Sequence, residues 1–461
     1  MLKKILPILT GCLLVSQLAW AALPLAVVGK AGKKGCIDSS GKEVIPLQYS
    51  AVEIATPEEG DFLAVQKDGK YGLYAKDGRQ LLAPTLDKMT APGEGIVGGL
   101  RGTQWNFYTV EGRRLFGGFT GVGIFSEGLV PVQKGELWGY ADKTGKLVID
   151  YQYKEAREFH EGLAAVKKNK FWGYIKPDGS ELLLANLRGA TDFQNGLAVV
   201  DGNWIMDKTG KRVAKIRNYS YIGNFNKEGL LEVGARRRTS SILDYISIGL
   251  GTGGWWGWGL DAGGFGVGGS FGGHHHHHHH SSFGGFISAS PGLLMPSNMH
   301  RGYVNNRGVE LISPDNDYVS EFVNGYALVK NERRWGMVAP TGETVIPYVY
   351  DKLTPFYNGL AAFEFDTLWG YIDEGNNIVI KNRFNKVTPF FTDYAAVLEN
   401  DKAGIIDKKG TLLFTPAISC KEVGPVQQGL AAFKEGKHWG FLNLKGQVVI
   451  KAQYDSVSMF Q

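Results

Sequence analysis

An all-β tandem-repeat fold is what this sequence predicts, and three observations predict it. A strand–turn–strand–turn–strand pattern recurs at a period of about 34 residues, the range in which each unit is one supersecondary element that buries its apolar face against its neighbours. Glycine marks the turn ahead of the third strand in unit after unit, where a tight hairpin needs positive φ. Helical periodicity is nearly absent after the N-terminal segment.

A chain of 461 residues exceeds one ordinary globular core, but a repeat array grows by stacking and needs no division into several domains. The 50 basic and 45 acidic residues are interspersed and leave a net charge of only +5, which excludes a dedicated nucleic-acid binder from the expected classes. Residues 1–21 read as a signal peptide. Lys3 and Lys4 form its positive end, residues 5–18 are mostly apolar, and Ala19-Trp20-Ala21 is an A-x-A cleavage site. The apolar run is short for a bilayer span of about 20 residues. A periplasmic or secreted protein follows. The alternative is a lipid anchor through Cys12, since Leu9-Thr10-Gly11-Cys12 has the residue types of a lipoprotein signal. The mature chain keeps Cys36 and Cys420. A disulfide would need their Cα atoms within about 7 Å, which an open array of this length does not provide, so buried thiols are expected.

The units follow in order. In the central one, residues 163–166 form a strand, Lys168 and Asn169 a turn, residues 172–175 a second strand, Pro177-Asp178-Gly179 another turn, and residues 182–184 a third strand. The second strand carries an aromatic or small residue followed by glycine. It recurs at Lys34, Tyr71, Trp105, Trp138, Trp172 and Trp204, and after an interruption at Arg301, Trp335, Trp369, Ala403 and Trp439. That makes about eleven units, with residues 22–235 and 301–461 flanking an insertion at 236–300. Each unit closes on an apolar strand, often a proline and an aromatic, as in Val44-Ile45-Pro46 with Tyr49 and Val345-Ile346-Pro347 with Tyr350. A proline there fits a connection between units better than a central strand.

The consensus, roughly F-x-E-G-L-A-x-V-x-x-x-x-x-W-G-Y-I-D-x-x-G-x-x-V-I-x-x-x-Y, resembles the WG (KWG) repeat family of bacterial exported and surface proteins. Trp105-Asn106 and Trp204-Ile205 depart from it, and units 1, 7 and 10 lack the tryptophan. The resemblance implies a β-repeat scaffold used in binding, with no common catalytic site. Tyr71, Trp105, Trp138, Trp172, Trp204, Trp335, Trp369 and Trp439 have two readings. An aromatic recurring beside glycine packs between successive units, or it joins an exposed ladder that stacks on sugar rings.

The insertion enters at the tip of the hairpin of unit 7. It contains Arg236 to Arg238, a Gly/Trp/Phe-rich block at 249–273, and His274, His275, His276, His277, His278, His279 and His280. It reads as a low-complexity excursion, as a flexible Zn, Ni or Cu site built from imidazoles, or as a peripheral membrane contact through Trp255, Trp256 and Trp258. The match at Gly264, Gly266 and Gly269 to a dinucleotide fingerprint follows no strand and opens no helix, so it carries nothing.

Nothing in the sequence assembles an active site. His160, His300 and His438 are scattered, and Asp142, Asp207, Asp373 and Asp407 recur at a turn position that calls for an Asx-type hydrogen bond. Eleven units exceed the four to eight blades typical of a propeller. The expected architecture is therefore an open solenoid or superhelix with atypical end units, the alternative being propeller-like rings. The expected function is an exported, non-catalytic scaffold that binds a protein or a glycan at the cell envelope. Metal binding through the histidine tract is the alternative.

Overall fold

The computed structural model describes residues 24–236, 286–287, 299–415 and 417–461. The signal segment with Cys12, the Gly/Trp/Phe-rich block and the histidine tract lie outside them.

Among the described residues the chain forms eleven sheets and no helix. Each is an antiparallel meander, and most contain one strand more than the sequence pattern shows. The sheet of unit 5 consists of Glu155–Ala156, Ala164–Lys168, Phe171–Ile175 and Glu181–Leu187. The short leading strand follows the third strand of unit 4, Leu147–Tyr153, after one residue. The segment expected to be a connector thus bends from the edge of one sheet onto the edge of the next. In unit 5 two paired residues are too few to produce the alternation by which a strand is read. Unit 3 also receives Phe286–Ile287, paired parallel to its leading strand Lys88–Thr90.

Of the two architectures expected, the closed one is observed. The leading strand of unit 1 comes from the far end of the chain, where Ser456–Val457 pairs with Leu25–Lys30 through Val28↔Val457 and Gly29↔Ser456. Eleven apolar clusters accompany the eleven sheets, one per interface. The last, containing Ala26, Val28, Trp439, Phe441, Val457 and Phe460, joins unit 11 to unit 1 as the others join successive units. An open array would have two free edges to protect; here the terminal units cover each other. The expectation of capped, atypical ends is corrected accordingly.

The interface chemistry explains why closure costs nothing special. In W-G-Y-I, alternation sends Trp172 and Tyr174 toward unit 6 and Ile175 toward unit 4. The tyrosine ring packs edge-on against a phenylalanine of the next unit, Tyr174 on Phe193 at 4.8 Å and Tyr371 on Phe390 at 4.8 Å. Its hydroxyl donates to a backbone carbonyl beside that ring, Thr191 at 2.6 Å and Thr388 at 2.8 Å. The hydroxyl of the same threonine accepts a backbone N–H from the adjoining strand, Val199 to Thr191 and Ala396 to Thr388, each at 2.9 Å. The closing interface keeps the ring contact and the N–H bond, with Phe441 on Phe460 at 4.9 Å and Val27 N–H donating to Ser458 at 2.8 Å, but Phe441 has no hydroxyl to donate.

The repeated glycine has a steric cause. Trp172 pairs with Leu187 and Tyr174 with Leu183, so the third strand bulges opposite Gly173. A Cβ on Gly173 would lie 2.6 Å from the Leu183 carbonyl oxygen, and the same approach recurs at Gly35, Gly72, Gly139, Gly302, Gly336, Gly370 and Gly440. Pro46, Pro84 and Pro347 sit in these bulges, inside the third strand, contrary to the expectation that they lie past it. An exposed edge strand leaves a proline no ladder bond to break. The departures are consistent with this cause. In unit 3 Asn106 occupies the glycine position, and Gly117 on the opposite strand clears the space, since its own Cβ would lie 2.6 Å from Asn106 Cα. In unit 6 Ile205 pairs directly with Ala214, without the bulge at that position. Gly173→Ala is expected to cost about 1–3 kcal/mol, whereas Gly189→Ala, with nothing within 4 Å of the added Cβ, should leave the urea midpoint nearly unchanged. Equal midpoints for the two variants would refute the steric account.

Candidate functional site

The meander gives the ring two chemically different faces. Hairpins between first and second strands, together with the links between sheets, emerge on one; the remaining turns emerge on the other. On the hairpin face, link carboxylates and carboxamides tie down hairpin backbones: Asp87 accepts from Gly102 N–H at 2.8 Å, Asp351 from Asp366 at 3.0 Å and Asn385 from Asn400 at 2.9 Å. Asp455 accepts from Ala31 at 2.7 Å, continuing the series across the closure.

On the turn face a second series runs between units. Glu94 accepts from Gly128 N–H at 3.1 Å, Glu127 from Gly162 at 2.9 Å and Glu161 from Gly196 at 2.9 Å. Burial raises the pKa of Glu94 and Glu161, but Lys143 and Lys208 and the accepted N–H groups outweigh it and hold both carboxyls below their ordinary range. The aspartates before the glycine turns form the expected Asx hydrogen bonds. Asp142 accepts from Thr144 N–H at 2.9 Å and Lys146 N–H at 3.0 Å, and Asp207 from Thr209 at 2.9 Å and Lys211 at 3.1 Å. The threonine hydroxyls and these N–H groups lower both carboxyl pKa values.

Tyr71, Trp105, Trp172, Trp369 and Trp439 are buried, and Trp138, Trp204 and Trp335 are half-buried. They are distributed one per unit. Cations cover several rings: Arg157 and Lys167 lie 5.1 and 5.6 Å from Trp172, Lys352 5.8 Å from Trp369, and Lys434 5.2 Å from Trp439. His160, His300 and His438 remain separate, with His300 Nδ1 2.6 Å from the Asn316 carbonyl oxygen. Among the described residues no group of three or more His, Cys, Asp or Glu side chains could hold a metal ion. His274 to His280 fall outside those residues. Cys36 and Cys420 are buried free thiols, raised by burial to about 12 and about 11. They occupy the 1–2 and 10–11 interfaces, so the closing interface stands between them.

Two polar clusters lie at the sheet edges, around Glu158 and Asp192 and around Glu321, at the position where units 1, 4, 9 and 10 have Met459, Ile124, Pro355 and Pro389. Glu158 reaches into the 4–5 interface and accepts from Ile124 N–H at 3.1 Å; burial, with the charge of Asp192, raises its pKa. Asp192 lies in the 5–6 interface, 3.8 Å from Arg157. In unit 7 Arg301 takes the tryptophan position and pairs with Glu232 at 2.5 Å and Glu321 at 3.1 Å. Sequence reading found only the missing tryptophan here, because the carboxylates that compensate come from other strands.

The family model described as "WG containing repeat" matches residues 35–71, 118–138, 138–170, 172–201, 302–335, 335–366, 369–402 and 439–461, just over half of the chain. No curated protein matches the sequence. Solved structures with a similar chain path include a eukaryotic initiation factor, at 9% identity over 95% of this chain and 98% of that one, with a TM-score of 0.40. They also include dihydro-heme d1 dehydrogenase NirN in complex with DHE, at 8% identity over 95% and 74%, with a TM-score of 0.33. A third is the extracellular domain of a one-component system from B. thetaiotaomicron, at 10% identity over 95% and 72%, with a TM-score of 0.27.

Proposed function

The chain belongs to the WG repeat family, and on that footing we propose that the ring is an exported, non-catalytic scaffold that holds a protein or a glycan at the bacterial envelope through its exposed faces. The observation that carries this reading is how the recurring polar side chains are used. The aspartates close turns, the glutamates bind the next unit's backbone, and the aromatics fill interfaces. The repeat therefore spends its chemistry on a rigid frame and leaves the side chains of the hairpin tips, which vary from unit to unit, to face a partner. Residues 1–21 supply the export signal in this reading.

The test incubates purified protein comprising residues 22–461 with an isolated envelope fraction, beside a variant lacking residues 249–285. Both are expected to sediment with the fraction saturably and to release no soluble sugar or peptide. Release of either, or failure to bind, would overturn the reading. Binding lost in the deletion would move the function from the ring to the histidine tract.

A further inference from the structure

The hairpin face is electrically lopsided. In units 1–5 the last residue of the first strand is Lys30, Lys67, Arg101, Lys134 and Lys168 in turn, each fixed by its register partner across the hairpin. The first strand ends at Val200 in unit 6 and at the exposed Arg236 in unit 7, and at Asn331, Phe365, Glu399 and Glu435 in units 8–11. All five cations but the half-buried Lys67 are exposed, as are Lys33 and Lys170 in the same turns. Nearby carboxylates are mostly engaged elsewhere: Asp87 with Lys70, Glu136 with Lys154 and Glu155 with Lys167. Among the described residues Lys168 pairs only with Glu181, at 3.9 Å. Lys30, Lys67, Arg101 and Lys134 form no ion pair with a described residue; Lys67 donates to Gln48 at 3.0 Å and Arg101 to Thr85 at 2.6 Å.

The geometry points to this arc as the binding surface for a linear acidic polysaccharide, one that carries a carboxylate at each repeat of its chain. The proposal rests on the scaffold reading and names its ligand. Face-to-face sheets repeat at about 10 Å, so the arc offers one cation at roughly that spacing across five consecutive units. Screening at physiological salt acts over about 8 Å. A monovalent anion therefore gains from one cation at a time, whereas a polymer that spans several gains by multivalency. Phe171, 45% exposed between Lys170 and Trp172, adds an apolar ring on which a sugar face can rest. The hairpin tips of units 9–11 carry no net positive charge, which confines the ligand to one side of the face.

Calorimetry of the protein comprising residues 22–461 with polyuronate oligomers of graded length tests this, beside the same polymer with its carboxyls reduced to alcohols. The reversal variant carries Lys30→Glu, Lys67→Glu, Arg101→Glu, Lys134→Glu and Lys168→Glu; the control carries Lys402→Glu and Lys437→Glu. Affinity should rise with oligomer length, fall with added salt, and drop at least about tenfold in the reversal variant while the control stays within about twofold. Should the fivefold variant melt early, Lys30→Glu/Lys134→Glu, both at exposed tips, carries the comparison. Equal binding of the reduced polymer, or a folded reversal variant that binds as well as the wild type, would overturn the proposal. Tighter binding of single-stranded DNA of matched charge would assign the arc to nucleic acid instead. Envelope sedimentation that persists in the reversal variant would leave the scaffold reading standing while the polysaccharide assignment falls.

Discussion

Deleting residues 455–461 is expected to open the ring, with a larger loss of stability than any single substitution considered above. The deletion removes Phe460, 2% exposed and packed on Phe441, together with the buried Val457 and Met459. It also removes the acceptors of the Ala31 and Val27 N–H groups, Asp455 and Ser458, and the reciprocal pair between Gln461 and Leu25. Truncating one buried phenylalanine typically costs about 3–5 kcal/mol, so loss of the whole segment should exceed that. The consequences differ from those of an ordinary core mutation, because stability in a repeat protein is a sum of unit and neighbour contributions. Opening one interface frees units 1 and 11 to fray while the centre persists. The thermal transition should broaden, early proteolytic cuts should fall in residues 24–50, and the exposed edge of Leu25–Lys30 should promote association between chains. Scattering should show an expanded particle at dilute concentration. A truncated chain with an unchanged melting curve and radius would mean that closure contributes nothing to stability. Phe460→Leu is the companion variant; it keeps most of the apolar contact and should keep the ring.

Much of this frame was legible in the sequence, and the parts that were not share a cause. The unit length, its three principal strands, the glycine turns and the Asx role of Asp142 and Asp207 all depend on residues a few positions apart. Closure depends on Ser456–Val457 meeting Val28 and Gly29, a pairing without periodicity, between segments at opposite ends of the chain. The large number of units argued for an open array, yet each interface sets only the rotation to its neighbour, and the sum of small rotations cannot be read from any one of them. The aromatics left packing and an exposed ladder both open; Trp172, Trp369 and Trp439 are buried, because each sheet is covered on both faces. The basic arc was hidden by interspersion along the chain. Lys30, Lys67, Arg101, Lys134 and Lys168 stand apart in sequence, and the fold brings them to one face.

Arg301→Ala should cost about 3 kcal/mol at neutral pH, the low end for a buried ion pair losing one partner, since Arg301, Glu232 and Glu321 retain side-chain exposures of 15%, 21% and 17%. Burial alone would disfavour the guanidinium charge, but Glu232, with Tyr303, reverses that and raises its pKa. The variant leaves two carboxylates facing each other in a mostly buried interface with no cation between them. Their pKa values should then rise above those of the unfolded chain. Groups with raised folded pKa values add stability that is complete below the unfolded carboxylate pKa and is lost as pH climbs through the folded one. The difference between Arg301→Ala and wild type should therefore shrink when urea unfolding is measured near pH 4 instead of pH 7. Adding Glu232→Gln and Glu321→Gln should recover part of the loss at pH 7 and abolish the pH dependence. A loss of the same size at both pH values would instead assign Arg301 to packing, through its stem, and leave the ion pairs without energetic weight. The result bears on how the family tolerates departures from its own motif: a tryptophan position can accept a cation where neighbouring strands present carboxylates, so a unit that looks degenerate in sequence still completes the ring.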